Sequence, residues 1–295
     1  MKYKLRHQTL YEYENIVDNY HSIVCLQPLN LPRQICTDFK IEIDPAPAII
    51  YSRTDYFGNT QHSFSLHVPH KILKVITTSD VEVIPPYAIN INPISCEEAR
   101  NKINNKTELK IMMLQYQLPS QFITWDDEIR NFAGNCFPPT IPLYNAIQNL
   151  TAKIFNEFEF KEGFSTLNTP LKTILKERKG VCQDFSHLAI ACLRSMGFPA
   201  RYVSGYIETL PPPGKPKLQG SDASHAWIAA YVPDMGWCEF DPTNNLIPYD
   251  KHITVAYGRD YGDVVPLKGI IFSSGEHEVK VEVDVIPNYY NNFAI

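Results

Sequence analysis

The sequence predicts an α+β protein, an amino-terminal β-sandwich followed by helices packed on an antiparallel sheet. Two observations lead there. Residues 2–13, 37–44, 61–68 and 75–84 are short segments rich in β-branched and aromatic side chains. Turn signals at Asp44-Pro45, Phe57-Gly58-Asn59 and Pro85-Pro86 separate them, and short strands at regular intervals suit a sandwich. From residue 108 the apolar period lengthens to that of helices. The expected organisation is a sandwich over 1–88, a polar connector over 89–107, and a second domain over 108–295 that closes on a strand.

Taken in order, helices are expected at 108–117, 126–132 and 143–157. In the last, Leu143, Ala146, Ile147, Leu150 and Ile154 recur at helical spacing. Thr169-Pro170 opens another short helix, with proline near its first turn. Residues 180–197 form the clearest helix, because Phe185, Leu188, Ala189, Cys192, Leu193 and Met196 make one apolar stripe. Gly197 stands at its C-cap and Pro199 follows. Strands are expected at 200–208, 224–232 and 237–241, with a Pro- and Gly-rich loop at 210–220. Near the carboxy terminus, Val279, Val281, Val283 and Val285 alternate with Glu278, Lys280, Glu282 and Asp284, the pattern of a half-solvated strand.

Composition narrows the function classes. Apolar residues make up 44% of the chain, so a core forms without metal or disulfide staples. The net charge of −5 and the lack of a Lys/Arg cluster argue against nucleic-acid binding. There is no apolar run long enough for a membrane span and no apolar leader near residue 1, so no membrane partner is expected. The seven cysteines are odd in number and scattered, without a CxxC pair. Free thiols in a cytoplasmic, reducing setting are the expectation, with neither a cofactor nor a zinc site of paired cysteines.

One cysteine stands apart. Cys182 falls on the first turn of the clearest helix, where unpaired N–H groups and the helix dipole favour an anion. A thiolate is such an anion and is the nucleophilic form of cysteine. By contrast, Cys192 lies on the apolar stripe and Cys238 within a strand. His225 opens the 224–232 strand and Asp241 closes the next, in Phe240-Asp241-Pro242-Thr243. Alone, Asp241 reads equally as a turn residue. Paired across a hairpin in which Val232 meets Gly236, Asp241 faces Trp227 and lies diagonal to His225 on one face. Cysteine, histidine and carboxylate then have the arrangement for nucleophilic attack on an amide. The N–H of Cys182 is a natural oxyanion donor, with Gln183 and Trp227 as further candidates for the second. A metal site from His187, His225 and Asp241 is the competing reading, although His187 projects from a different helix face than Cys182.

Lys179-Gly180-Val181-Cys182-Gln183-Asp184-Phe185, with Gly197-Phe198-Pro199-Ala200-Arg201 downstream, resembles the nucleophile segment of the transglutaminase-like superfamily. Ser224-His225-Ala226-Trp227 and Gly236-Trp237-Cys238-Glu239-Phe240-Asp241-Pro242-Thr243 resemble its histidine and aspartate motifs. Gly258-Arg259-Asp260-Tyr261 and Tyr56-Phe57-Gly58-Asn59 resemble segments of its bacterial peptidase-like branch. The resemblance implies a papain-like, transglutaminase-like core in the 108–295 domain and Cys-His-Asp catalysis on peptide or isopeptide amides through a thioester. Cys182 is then the nucleophile, His225 the base and acid, and Asp241 the orienter. Gln183, Asp184, Trp227, Arg259 and Asp260 are carried over as substrate-positioning or structural positions; Asp184 also fits as a charge in the first helical turn. The partner expected is a peptide or protein substrate. Acyl transfer to an amine, or a non-catalytic binding role for the sandwich, are the alternatives.

Overall fold

The computed structural model describes residues 1–85, 94–105, 107–209, 220, 222–271 and 275–288. Six strands come first: β1 (Lys2–Val17), β2 (Tyr20–Val24), β3 (Gln34–Asp44), β4 (Ile50–Thr54), β5 (Thr60–Leu66) and β6 (His70–Val83). Then follow α1 (Cys96–Asn105), α2 (Thr107–Leu114), α3 (Asp127–Gly134), α4 (Leu143–Glu157), β7 (Glu159–Phe160), α5 (Leu171–Glu177), β8 (Lys179–Gly180) and α6 (Cys182–Ser195). The chain continues with β9 (Ala200–Ile207), β10 (Ser224–Val232), β11 (Gly236–Phe240) and β12 (His252–Gly258), and ends with β13 (Leu267–Ile271) and β14 (His277–Pro287). The expected strands are present; β2, β4, β7, β8, β12 and β13 are additional. The 210–220 loop lies, apart from Gly220, outside the described residues.

Two antiparallel sheets, ordered β14-β1-β6-β3 and β13-β2-β5-β4, form the sandwich. Tyr13, Val17, Ile43 and Leu73 of one sheet meet Tyr20, Phe64, Leu66 and Leu267 of the other in its core. The carboxy-terminal strand, expected to close the second domain, pairs with β1 from Tyr3↔Pro287 to Tyr13↔His277. Likewise β13 pairs with β2. Both ends of the chain therefore build the sandwich. On β14 the alternation serves a core only in its second half: Val283 and Val285 are buried, while Val279 and Val281 are exposed.

The sandwich is welded to the rest. Tyr3, Leu5, Val81, Val83, Val283 and Val285 belong to the same continuous apolar cluster as α6. A third antiparallel sheet, ordered β11-β10-β9-β12, carries α6 on one side. Its edge strand β12 offers unpaired backbone groups, and two side-chain amides from the sandwich fill them. Gln34 donates Nε2 to Thr254 O and accepts the Thr254 N–H on Oε1, each at 2.7 Å. Asn59 does the same for Tyr257, with both contacts at 2.8 Å.

The 89–107 stretch differs from its expectation as a connector. Within it, α1 buries Cys96, Ala99 and Ile103 on one side. Ser95 and Glu98 cap that helix reciprocally, Ser95 Oγ accepting the Glu98 N–H and Glu98 Oε2 accepting the Ser95 N–H. The polar Asn and Lys residues that suggest a connector lie on its outer face. Helix α6 also departs from the single-stripe expectation, being buried on all sides from Asp184 to Arg194. It is the central helix, in contact with α3, α4, α5, β9 and β10.

Candidate active site

Cys182 is the first residue of α6 and is half-buried. Its N–H lies among those with no acceptor one turn back. The loop ahead of it is pinned by Asp184, whose Oδ2 accepts the Val181 N–H at 2.8 Å and the Ser165 hydroxyl. Burial raises the Asp184 pKa, and these two donors work against that rise. Gly180 is required here, since a Cβ would stand 2.9 Å from Asp184 Cβ.

The hairpin takes the register that gathers the other two residues. Val232 pairs with Gly236 and Ile228 with Phe240, so the next step sets Asp241 beside Trp227 and diagonal to His225. His225 Nε2 lies 2.8 Å from Asp241 Oδ2. Its remaining ring nitrogen is left for Cys182, whose thiol is near enough to help raise the His225 pKa. Burial pulls the His225 pKa down, but hydrogen bonds and charge attraction from Asp241 and Cys182 outweigh it and raise the pKa to about 9. For Asp241 burial acts upward, yet its hydrogen bonds hold the carboxyl well below the usual carboxylate range. Oδ1 accepts the N–H groups of Thr243 and Asn244 at 2.9 and 3.2 Å. Oδ2 accepts His225, the Asn244 amide at 2.8 Å and His252 Nε2 at 3.0 Å.

His252 and Asn244 are absent from the sequence-derived site. Asn244 has a local signal, because an aspartate commonly accepts N–H groups two and three residues on. His252 has none. It pairs with Ile207 on one side of β9, while His225 pairs with Gly205 on the other. Gly205 is the bare spot that lets them gather: a Cβ there would meet Ile253 O at 2.1 Å and Trp227 Cη2 at 2.6 Å. The Trp227 ring stacks near His225, centroids 5.9 Å apart, and sets its edge against His252 at 5.1 Å.

The structure redistributes the remaining candidates. Gln183 lines a cavity of about 400 Å³ beside the start of α6, with Phe122, Trp125 and Lys172. Trp227 is 0% exposed and donates its indole N–H to Glu239, so it buttresses His225 from inside rather than meeting substrate. Arg259 is tied to Asp263 by two side-chain hydrogen bonds of 2.9 Å. Asp260 is buried and accepts N–H groups from Phe122 and Gly262. Both brace the turn after β12. The His187-based metal set does not assemble: His187 Nε2 accepts the Tyr261 N–H, and burial lowers its pKa to about 4. Among the described residues the metal-like grouping is His225, Asp241 and His252, with ligand atoms within 4.8 Å of one another. Hydrogen bonds between these same atoms account for that grouping.

Comparison with known proteins identifies the family. Residues 130–242 match the transglutaminase-like superfamily and residues 3–82 the bacterial transglutaminase-like N-terminal region. An uncharacterised protein of Mycobacterium tuberculosis is 37% identical over 298 residues, covering 97% of this chain and 93% of its own. A protein-glutamine gamma-glutamyltransferase of Pseudomonas aeruginosa is 30% identical over 109 residues, 34% of this chain and 16% of that one. Among solved structures, a Cytophaga hutchinsonii protein provisionally named a cysteine protease shares the fold, with a TM-score of 0.74 and 21% identity over 100% of this chain and 94% of that one. No helix among the described residues is long and apolar enough to cross a membrane. With both family regions matched in order and a full-length relative at this identity, the chain belongs to the transglutaminase-like superfamily and carries its bacterial amino-terminal region.

Proposed function

We propose that the protein is a cysteine-dependent amide hydrolase acting through a thioester, with Cys182 as nucleophile, His225 as proton carrier and Asp241 as orienter. The observation that carries this is the 2.8 Å contact between Asp241 Oδ2 and His225, with the Cys182 thiol at the start of α6 near enough to raise the His225 pKa. In this reading the Cys182 thiolate adds to an amide carbonyl, and the oxyanion is met by the Cys182 N–H. One such donor is typically worth about 2.7–4 kcal/mol in the transition state. His225 gives its proton to the leaving amine as the carbon–nitrogen bond breaks, leaving a thioester. Water then attacks, with His225 taking its proton, and the acid leaves as Cys182 is restored. Gln183 would touch the substrate, since it lines the cavity beside the nucleophile. A cytoplasmic setting belongs to the same reading and is supported by seven free cysteines.

The test is alkylation by iodoacetamide across pH 5 to 9, mapped by mass spectrometry. Burial pushes the thiols of Cys25, Cys36, Cys96, Cys136, Cys192 and Cys238 up, so they form a slow background. Early, selective alkylation of Cys182 that His225→Ala abolishes supports the proposal. If Cys182 reacts no faster than the other six, the reading is wrong, and a binding role for the sandwich takes its place.

A second reading, transfer of the acyl group to an amine, uses the same thioester. The match to the Pseudomonas gamma-glutamyltransferase supports it. Incorporation of a labelled amine into a glutamine donor would establish transfer; release of free acid alone would establish hydrolysis.

A further inference from the structure

We infer that His252 is a positioning residue that acts through Asp241, aiming the carboxylate and restraining the basicity of His225. This rests on the roles given to His225 and Asp241 above. The geometry makes the argument. A carboxylate only accepts hydrogen bonds, so the two imidazoles that meet Asp241 Oδ2 at 2.8 and 3.0 Å must both present Nε2–H. That requirement commits His225 Nε2 to Asp241 and leaves Nδ1 for Cys182. The Thr243 and Asn244 N–H groups hold Oδ1. With His252 on Oδ2, the carboxylate is fixed at both ends.

The same hydrogen bond has an electrostatic consequence. Negative charge on Oδ2 stabilises the His225 imidazolium, and each further donor on that oxygen, the Asn244 amide and His252, draws part of the charge away. His252 works in this direction in either protonation state, because a cationic ring would also repel His225 across the 6.0 Å between ring centroids. Its surroundings leave Asp241 as its hydrogen-bonding partner. His225 faces it from β10 and Trp227 sets an edge against it. Arg33, Arg201 and Glu239 line the 790 Å³ cavity that His252 also borders. Of these, Glu239 is engaged by Trp227 and Tyr257, and the Arg201 guanidinium lies over the rings of Trp237 and Tyr257.

The experiment is ¹⁵N-histidine NMR titration of the wild type, His252→Phe and His252→Gln. Phenylalanine keeps the ring but has no donor, whereas glutamine places an N–H near the lost Nε2. Expected are a protonated Nε2 on both histidines at neutral pH in the wild type, and an upward shift of the His225 pKa by about one unit in His252→Phe. Glutamine should return it to the wild-type value. A purely packing role would leave the His225 titration unmoved in the phenylalanine variant. No shift or a downward one in a folded His252→Phe protein overturns the inference, as does an equal shift in His252→Gln. Should the phenylalanine variant fail to fold, the wild-type spectrum still decides: a deprotonated Nε2 on His252 at neutral pH refutes the proposal. Iodoacetamide alkylation separates this inference from the reading beneath it. An inert Cys182 with the His225 shift intact sinks the catalytic reading alone; a reactive Cys182 with no shift sinks this one alone.

Discussion

Replacing Asn59 by alanine should loosen the catalytic sheet from a distance. Asn59 is 0% exposed and its amide pairs both backbone groups of Tyr257 on β12. Alanine leaves that N–H and C=O buried without partners. Each orphaned group costs about 1–3 kcal/mol, so the variant should lose roughly 2–6 kcal/mol of a total stability on the order of 5–15 kcal/mol. Asn59 Nδ2 also donates to Asp55 at 2.9 Å, and losing that contact adds to the effect. Urea unfolding, followed by fluorescence and circular dichroism, measures it. The slope with denaturant should stay constant while the midpoint falls. Asn59→Asp should be no milder, because a carboxylate oxygen would face the Tyr257 carbonyl. A midpoint shift equivalent to less than about 0.5 kcal/mol, the size of an ordinary surface substitution, would refute the idea that the sandwich amide completes the edge of β12.

Asp241→Asn should destabilise the protein by about 2–4 kcal/mol and slow Cys182 alkylation, because donors converge on both carboxylate oxygens and an NH₂ group must clash with one set; wild-type melting and alkylation would contradict this. Gly205→Ala should cost about 3 kcal/mol through the clash with Ile253 O and Trp227, and a melting temperature within error of wild type would show that β9 relaxes freely. Stability should also follow pH with a defined sign. His225, raised from 6.5 to about 9, contributes fully below pH 6.5 and loses that contribution as pH rises toward 9. Asp241, lowered from 3.8, contributes above pH 3.8 and loses its contribution as pH falls below that value. Thermal melts of His225→Ala should therefore show a flatter decline between pH 6.5 and 9, and an unchanged slope would remove His225 as its cause.

Much of the site is legible in sequence because its parts are local. Cys182 is marked by the apolar stripe that starts a helix at that point, and a helix start is a property of a dozen consecutive residues. His225 and Asp241 sit on consecutive strands joined by a tight turn, so the Val232↔Gly236 pairing sets their relation without knowledge of the rest of the fold. Helix α1 carried a readable signal too, since Ser95 and Glu98 have the spacing of a reciprocal cap. Its Asn and Lys residues, which lie on the outer face of the helix, make the same stretch read as a connector.

Other features required the tertiary structure. Val281 and Val283 share one alternating pattern, yet Val281 is exposed and Val283 buried; only the path of β14 across β1 decides which valines find a core. Trp227 looks like a residue at the cleft until Gly205 is seen to leave room for its ring inside. His252 reaches Asp241 because β9 lies between β10 and β12 in the sheet, an order that no local periodicity encodes. Gln34 and Asn59 meet β12 about two hundred positions away along the chain. The sequence by itself determined the helix bearing Cys182, the strand alternation and the hairpin that joins His225 to Asp241, because local periodicity and turn chemistry act over a few residues. The sheet order, the buttress behind His225 and the use of both chain ends to build the sandwich were decided only by tertiary structure, because they depend on which distant surfaces bury one another.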